Sequence, residues 1–400
     1  MHIVLVNHMF LDGGGREEHV FQIAKYFAEK GYRVSIVTSD YSPTGENIFK
    51  KRVDKIPGIK LVTLKGYLTN TPPGRVNIPD LTDFLVNYKA DIIHAHGMGE
   101  QAAESAFYAA KIKNVPFVYT LHFAPYTIYK KLNAEHIWKV LQQYHLYGIL
   151  RGTDKIIAVS PDEKEDIIHY SEYNGNNFAV IPNGFERADK KIDNDTITKT
   201  FEKFGITPGR KYITYIGSLT NPRKGAFEAI QAFRSAQLKY PDLHLILMGM
   251  NDSRLTYPGK EKIFTKILTK LMKANQVTIT GWVNDNDKHT LLQGSDIMIS
   301  PTTYEAFGIA LCEALYNKTP VIATDIGGCR YVIRNGIDGI LVKDQSDIQG
   351  FTDAMIQLLA DPEKRKKMGQ AGHERVSKMF SWEKMGEELE STYKRLIHSK

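Results

Sequence analysis

Cysteine is scarce. Cys312 and Cys329 are the only two in 400 residues, too few for a disulfide framework, so a reducing cytoplasm is the expected setting. Long apolar runs are missing too: none approaches the roughly 20 residues of a membrane span. The opening MHIVLVNHMF lacks the basic segment of a secretory leader and reads as a buried first strand. A cytoplasmic protein follows, with peripheral contact at the inner face of the membrane left open. Neither G-x-G-x-x-G nor G-x-x-x-x-G-K-[ST] occurs, which excludes a dinucleotide fingerprint and a P-loop. Acidic excess is absent as well. The net charge is +7, with 21 Lys+Arg against 20 Asp+Glu through Arg187 and 31 against 25 beyond it. A basic excess in the second half suits an anionic nucleotide and requires no nucleic acid. Part of it is the run Lys364-Arg365-Lys366-Lys367, read as a solvated helix face.

What the chain does have is alternation. Short apolar runs separated by helical patterns signal parallel sheets covered on both faces. Strands are expected at Ile3–Val6, Val34–Thr38, Ile59–Leu64, Asp91–His94, Phe117–Thr120, Ile156–Val159 and Ala179–Ile181. A second series runs near Ile213–Ile216, Leu243–Met248, Val277–Thr280, Ile297–Ser300 and Val321–Ala323. Between the two lies Ala188–Gly209, polar and opening with Asp189-Lys190-Lys191, which reads as a hinge. Four hundred residues and two such series predict two doubly wound domains facing a cleft, with ligands at the carboxyl ends of the strands. The last pattern, Trp382–Ile397, is an amphipathic helix entered through Ser381.

The richest stretch is SPTTYEAFGIALCEALYNKTPVIATDIGG, from Ser300 to Gly328. A strand ends at Pro301, a polar loop carries Glu305, and a helix beginning near Gly308 holds Glu313. The helix start offers unpaired N–H groups and a favourable dipole, a fit for phosphate or a polyhydroxyl ligand. The two glutamates do not look like a glycosidase pair. Eight residues of helix advance roughly 12 Å, beyond the roughly 5–9.5 Å between such carboxylates. They suit different parts of one extended ligand.

Glu305, Phe307-Gly308, Glu313-Ala314, Thr319-Pro320-Val321-Ile322-Ala323 and Gly327-Gly328 together resemble the signature of family 4 glycosyltransferases, the group 1 type of GT-B fold. The resemblance spans nearly the whole chain and implies two Rossmann-like domains. The first is an acceptor-side domain, residues 1–187 plus a crossing C-terminal helix at 381–400. The second, residues 188–380, binds the nucleotide sugar. It further implies transfer of a hexose-type sugar from a nucleotide diphosphate sugar, UDP-linked or GDP-linked, to a hydroxyl acceptor with retention. Cell-envelope glycan, glycolipid or polysaccharide synthesis is the setting it implies, lipid-linked acceptors included. No cofactor or metal is expected. A GT-B epimerase and a non-catalytic sugar-nucleotide-binding protein are the alternatives.

Other motifs align with this reading. Asp12-Gly13-Gly14-Gly15 is followed by Arg16-Glu17-Glu18-His19-Val20, similar to the family's Gly-Gly-x-Glu-x-His-Val. Gly14 and Gly15 then face donor phosphate and Arg16 the acceptor, the alternative being a plain tight turn. His94 and His96 alternate in HAHG, and His122 ends YTLHF. Three histidines at one sheet edge suggest zinc, but no carboxylate or cysteine completes a familiar ligand spacing. The resemblance gives His122 a contact to the donor sugar, and His96 is assigned to the acceptor side. In YIGSLTNPRKG, Ser218 stands where the family has arginine. Lys224 is the expected diphosphate cation, with Arg223 supplying the missing charge or standing as an exposed loop cation. Phe307, Gly308 and Ile309 are assigned to the donor, Glu313 to the ribose hydroxyls and Glu305 to the sugar ring. Met248-Gly249-Met250 lies where the family often has Gly-x-Gly, and Gly281-Trp282 lies against the base, Trp282 either stacking or packing. The aromatic-rich stretch Ala134–Arg151 reads as a packed helix or a membrane-facing surface.

Overall fold

A computed structural model describes the protein except for residues 13, 43–44, 70–75, 99, 124–134, 189–191 and 250–258, and except for the side chains of 135–142 and 144. Gly13, Lys130, Lys131, Asp189-Lys190-Lys191 and Met250 therefore lie outside the described residues, as do the side chains of Trp138, Lys139 and Tyr144.

The apolar runs become strands because each can bury both faces. In the first unit these are β1 (His2–Val6), β2 (Arg33–Ser39) and β3 (Ile59–Leu64), then the short β4 (Tyr67–Leu68) and β5 (Val76–Asn77). They are followed by β6 (Ile92–His96), β7 (Phe117–Thr120), β8 (Lys155–Ala158) and β9 (Phe178–Val180). β4 and β5 pair antiparallel with each other. The rest form a seven-stranded sheet in the order β3-β2-β1-β6-β7-β8-β9, parallel throughout. Ile3, Leu5, Ile36, Ile92, Val118 and Ile157 lie in one core cluster with the helix Gly15–Glu29. The terminal helix Trp382–His398 joins this unit by its apolar face. Met385, Leu389 and Tyr393, four residues apart, are buried in the same cluster.

The second unit repeats the winding with β10 (Lys211–Ile216), β11 (Leu243–Met248), β12 (Val277–Gly281), β13 (Ile297–Ser300), β14 (Val321–Thr324) and β15 (Gly339–Val342). Its order is β12-β11-β10-β13-β14-β15, again parallel. The first unit comprises Met1–Gly184 with Trp382–Lys400, and the second Phe185–Ser381. In both, the order reverses beside the first strand, between β1 and β6 and between β10 and β13. Such switch points are where open α/β sheets bind ligands.

The hinge reading needs correction. Within Ala188–Gly209 lies a helix, Asn194–Lys203, that belongs to the second unit. Asp193 caps it by accepting from Thr196 N at 2.8 Å. Its Phe201 packs edge-on against Tyr212, ring centroids 4.7 Å apart. One well-placed aromatic anchors an otherwise polar helix.

Candidate active site

Each unit gathers polar groups at its own switch point. In the second, β10 leads through Gly217 into a short turn, Pro222–Lys224, capped by Asn221, whose Oδ1 accepts from Arg223 N at 3.1 Å. The loop after β13 lies alongside. Thr303 N donates to Arg223 O at 2.9 Å, and Thr302 Oγ1 donates to the same oxygen at 3.0 Å. Gln345 Nε2 straps both loops, donating to Pro301 O at 2.8 Å and Pro222 O at 3.0 Å. On this scaffold Lys224 Nζ meets Glu305 Oε2 at 2.7 Å. Arg223 is half-buried, not an exposed loop cation, and its Nε is buried with no hydrogen-bond partner among the described residues.

Glycine is required twice here. Gly308 sits at φ 101°, a left-handed conformation that costs glycine nothing, and precedes the helix Ile309–Tyr316. No side chain caps that helix, so its first N–H groups remain aimed at whatever binds there. Gly328 N donates to Glu305 O at 3.0 Å. A Cβ at Gly328 would lie 2.4 Å from that oxygen, so only glycine lets the Glu305 loop lie so close. Phe307 is 1% exposed and packs edge-on against Phe380. Its ring anchors the loop, leaving the backbone for any ligand contact.

Glu313 is buried and pairs with Lys288, Oε1 to Nζ at 2.6 Å. Burial alone would lower the pKa of Lys288, but the carboxylates of Glu313 and Asp285 outweigh it and raise it. Asp285 and Asp287 occupy the first turn of the helix Asp285–Gln293, capped by Asn284, whose Oδ1 accepts from Asp287 N. Gly281 ends β12 with φ 69°, and its carbonyl accepts from Gly249 N at 3.0 Å. Trp282 is 52% exposed. Cys312 and Cys329 are buried, and burial, the largest cause for both, raises their thiol pKa values; both are packing residues.

In the first unit, Arg16 opens the helix after Gly14 and Gly15, with Nε donating to Glu17 Oε1 at 3.0 Å and Nη1 to Glu100 Oε1 at 2.5 Å. His8 Nδ1 lies 2.5 Å from Glu100 Oε2. Burial would raise the Glu100 pKa, but Arg16 and His8 hold it below the usual value. The turn at Gly14 thus carries acidic side chains, Glu17 and Glu18, in its first helical turn. His96 ends β6, and His122 lies two residues past β7 at φ 46°, in the left-handed region. His96 Nδ1 and His122 Nε2 are 3.3 Å apart. His94 does not join them: its Nδ1 meets Tyr393 Oη at 2.5 Å and its Nε2 meets Thr120 Oγ1 at 2.8 Å. The third histidine is His19, whose Nδ1 is bonded to Asn183 Oδ1. Burial lowers His19 to about 4 and holds His94, His96 and His122 well below the ordinary imidazole value.

Several of these partners had no sequence assignment. Lys288, Gln345, Glu100 and Asn183 carry no motif. His19 stands in the quoted Gly-Gly-x-Glu-x-His-Val pattern without a role. Glu163 had a signal, the Ser-x-x-Glu spacing of a capping box from Ser160. Its buried carboxylate accepts from Phe123 N at 2.6 Å and Val159 N at 2.5 Å.

Doubly wound units of this kind place the chain structurally among GT-B glycosyltransferases. It matches sucrose-phosphate synthase from Thermosynechococcus elongatus with TM-score 0.75 and 20% identity, covering 100% of both chains. It matches the Anabaena HepE complex with UDP-glucose with TM-score 0.77 and 21% identity, covering 99% of this chain and 100% of that one. At those identities the likeness shows the fold alone. Residues 196–375 match the family model for glycosyl transferases group 1, and residues 13–188 match that for glycosyltransferase family 4. The chain belongs to these glycosyltransferases. Among its relatives, alpha-maltose-1-phosphate synthase of Mycolicibacterium smegmatis is 24% identical over 331 residues, 77% of this chain and 79% of the relative. Phosphatidyl-myo-inositol mannosyltransferase of Mycobacterium tuberculosis is 24% identical over 392 residues, 96% of this chain and 94% of the relative.

Proposed function

We propose that the protein transfers a hexose-type sugar from a nucleotide diphosphate sugar, a UDP-sugar in preference to a GDP-sugar, to a hydroxyl acceptor with retention of configuration and without a metal. The observation that carries this reading is the Lys224–Glu305 pair, 2.7 Å long, beside the uncapped helix start at Gly308. A leaving diphosphate gains negative charge. Lys224, Arg223 and the Gly308 terminus supply fixed positive potential to meet it, which lowers the barrier because that charge is largest in the transition state. Glu305 then accepts from the sugar hydroxyls, Glu313 from the ribose, and Trp282 stacks on the base, with Gly281 alongside. Ile309 contributes its first-turn N–H. In the first unit His122 contacts the sugar, His96 and Arg16 serve the acceptor, and the Gly14-Gly15 turn faces the donor.

The HepE complex, described with UDP-glucose, supports the uridine preference. The mannosyltransferase named for phosphatidyl-myo-inositol supports a lipid-linked acceptor and work at a membrane surface. No helix among the described residues is long and apolar enough to cross a membrane, so such work would be peripheral.

A panel of nucleotide sugars screened by thermal shift identifies the donor, because a ligand of the native state raises apparent stability. Incubation with that donor and candidate acceptors, with the product's anomeric configuration read by NMR, tests the rest. Release of nucleoside diphosphate matched to glycoside formed is the expected result. An epimerised nucleotide sugar with no free nucleotide released would overturn transfer in favour of epimerisation.

A further inference from the structure

We propose that His19, His96 and His122 form a binding site for a zinc-class divalent cation, and that occupying it blocks the contact of His122 with the sugar. The second half rests on the transferase reading; the first half does not. Three elements deliver the imidazoles: the helix Gly15–Glu29, the end of β6 and the turn after β7. One ligand nitrogen from each lies within 4.8 Å of the others. Three nitrogens on one tetrahedral ion stand roughly 3.3 Å apart, given Zn–N bonds of about 2.0–2.1 Å. The rings would have to draw together on binding to reach that spacing.

Two of the nitrogens have nothing else to do. His19 and His96 are 1% and 0% exposed, and the Nε2 of each is buried with no hydrogen-bond partner among the described residues. Buried polar atoms without partners are rare and costly. Asn183 presents Oδ1, an acceptor, to His19 Nδ1, so the proton sits on Nδ1 and Nε2 carries a lone pair. Orienting a ligand imidazole through its other nitrogen is the usual outer support of a metal site. At His96, a proton on Nδ1 facing His122 Nε2 at 3.3 Å likewise leaves Nε2 as a lone pair, and an ion bound at His122 Nε2 would replace that hydrogen bond. The opposite tautomer would bury an N–H with no acceptor, the rarer kind of orphan.

Arg16 is the nearby cation, and the carboxylates of Glu17 and Glu100 both bind it. Three histidines without a thiolate or carboxylate leave a fourth position for water or a substrate hydroxyl. Filling the site would commit the His122 imidazole to the ion and away from the sugar.

The test uses the full chain stripped with EDTA and desalted. Zn²⁺ is titrated by calorimetry and Co²⁺ by visible absorption, whose ligand-field bands report coordination without any turnover. One ion per chain is expected, with the Co²⁺ bands lost in His19→Gln and in His96→Gln. Asn183→Ala, which touches no metal, should weaken binding at least about tenfold. It keeps the test decisive if a histidine variant folds poorly by circular dichroism. No saturable site, or one unchanged in all these variants, overturns the metal site whatever the enzyme's activity. In a preparation active in transfer, saturating Zn²⁺ should suppress turnover and EDTA restore it. Stoichiometric binding with full turnover overturns the blocking role.

Discussion

The ammonium of Lys224 and the carboxylate of Glu305, on the loops after β10 and β13, lie 2.7 Å apart. Residues that the sequence assigns to two different parts of the donor are thus partners before any donor arrives. The pair is accessible, with side chains 28% and 24% exposed. Solvent screening holds such a pair to about 1 kcal/mol of stability or less. Its worth lies in keeping a cation parked beside the helix start at Gly308.

Lys224→Met should therefore lower turnover by about 10²–10³, the cost typical of losing one donor to developing charge. Unfolding stability should change by about 1 kcal/mol or less. Glu305→Ala and His122→Ala should also lower turnover severely with the fold intact. Rates and circular dichroism measured together check all three. Near-normal turnover in any one removes that residue from the site.

Glu313 differs because its partner Lys288 is largely buried, at 17% side-chain exposure. Ribose hydroxyls are present in donor and product alike, so contacts to them alter affinity more than turnover. Glu313→Gln should weaken nucleoside diphosphate binding roughly tenfold or more, about 1.4 kcal/mol, in calorimetric titration. Lys288→Met should destabilise the fold more than Glu313→Gln does, because it removes the cation held against a buried carboxylate. Unchanged nucleotide affinity in Glu313→Gln would reject the ribose assignment.

Central strands were readable because a continuous run such as LHLILM has no other way to bury both faces, and Leu243–Met248 is the strand observed. The loop carrying Glu305 and the helix carrying Glu313 were readable because a strand, a polar loop and Gly308 mark the turn between them. What was not legible depends on distant partners. Lys288 and Glu313, 25 residues apart, are joined only by the fold. The helix Asn194–Lys203 was hidden because its single fully buried aromatic, Phe201, gives too weak a pattern. β15 went unread for a related reason: GILV follows a polar turn and is short. Among the histidines the sequence grouped His94 with His96 and His122 by spacing. The structure instead spends His94 on Tyr393 and Thr120 and brings in His19 from a helix.

Glu163 should act on the site through backbone. Its carboxylate holds Phe123 N at 2.6 Å, one residue after the left-handed His122. Burial, opposed by its two backbone hydrogen bonds, pushes its pKa up to about 7. Glu163→Gln keeps the volume but cannot accept from both N–H groups equally well. It should cut kcat about tenfold or more with little change in nucleotide affinity, since the nucleotide is assigned to the other unit. Unaltered kcat would mean that His122 holds its place without Glu163.

Stability should fall on acidification below about pH 6.5. His19, His94, His96 and His122 have folded pKa values depressed from 6.5, to about 4 for His19, so the unfolded chain binds more protons in that window. Each contributes stability that is full above 6.5 and is lost as pH falls towards the folded value. For His19 alone this is on the order of 3 kcal/mol. Glu163 has the opposite sign, its folded pKa being raised from 4.5 to about 7, so its contribution declines as pH rises across that range. His2 and His244, also lowered chiefly by burial, act with these four. Glu228 and Glu388, raised by burial, act with Glu163. Six histidines oppose three carboxylates, and the histidines prevail. Urea midpoints at pH 7.5 and 5.0 check this, and equal midpoints would show that the imidazoles are not buried neutral.

Transfer should survive chelation. Departure of a diphosphate needs positive charge, from a bound divalent cation or from the protein itself. A metal to serve the donor would call for a compact carboxylate pair, and Asp285-Asn286-Asp287 is the sequence match. Both aspartates are engaged otherwise: Asp285 Oδ1 with Lys288 at 2.9 Å and Asp287 Oδ2 with Lys203 at 2.6 Å. They also favour the start of the helix Asp285–Gln293 through its dipole. Against this, Lys224, Arg223 and the helix start at Gly308 offer two full charges and an aligned dipole at one switch point. The initial rate under saturating EDTA should therefore stay within a few-fold of the untreated rate, and should rise if the preparation carries zinc on His19, His96 and His122. A rate abolished by EDTA and restored by magnesium or manganese would overturn this, and would make Asp285 and Asp287 the first residues to replace.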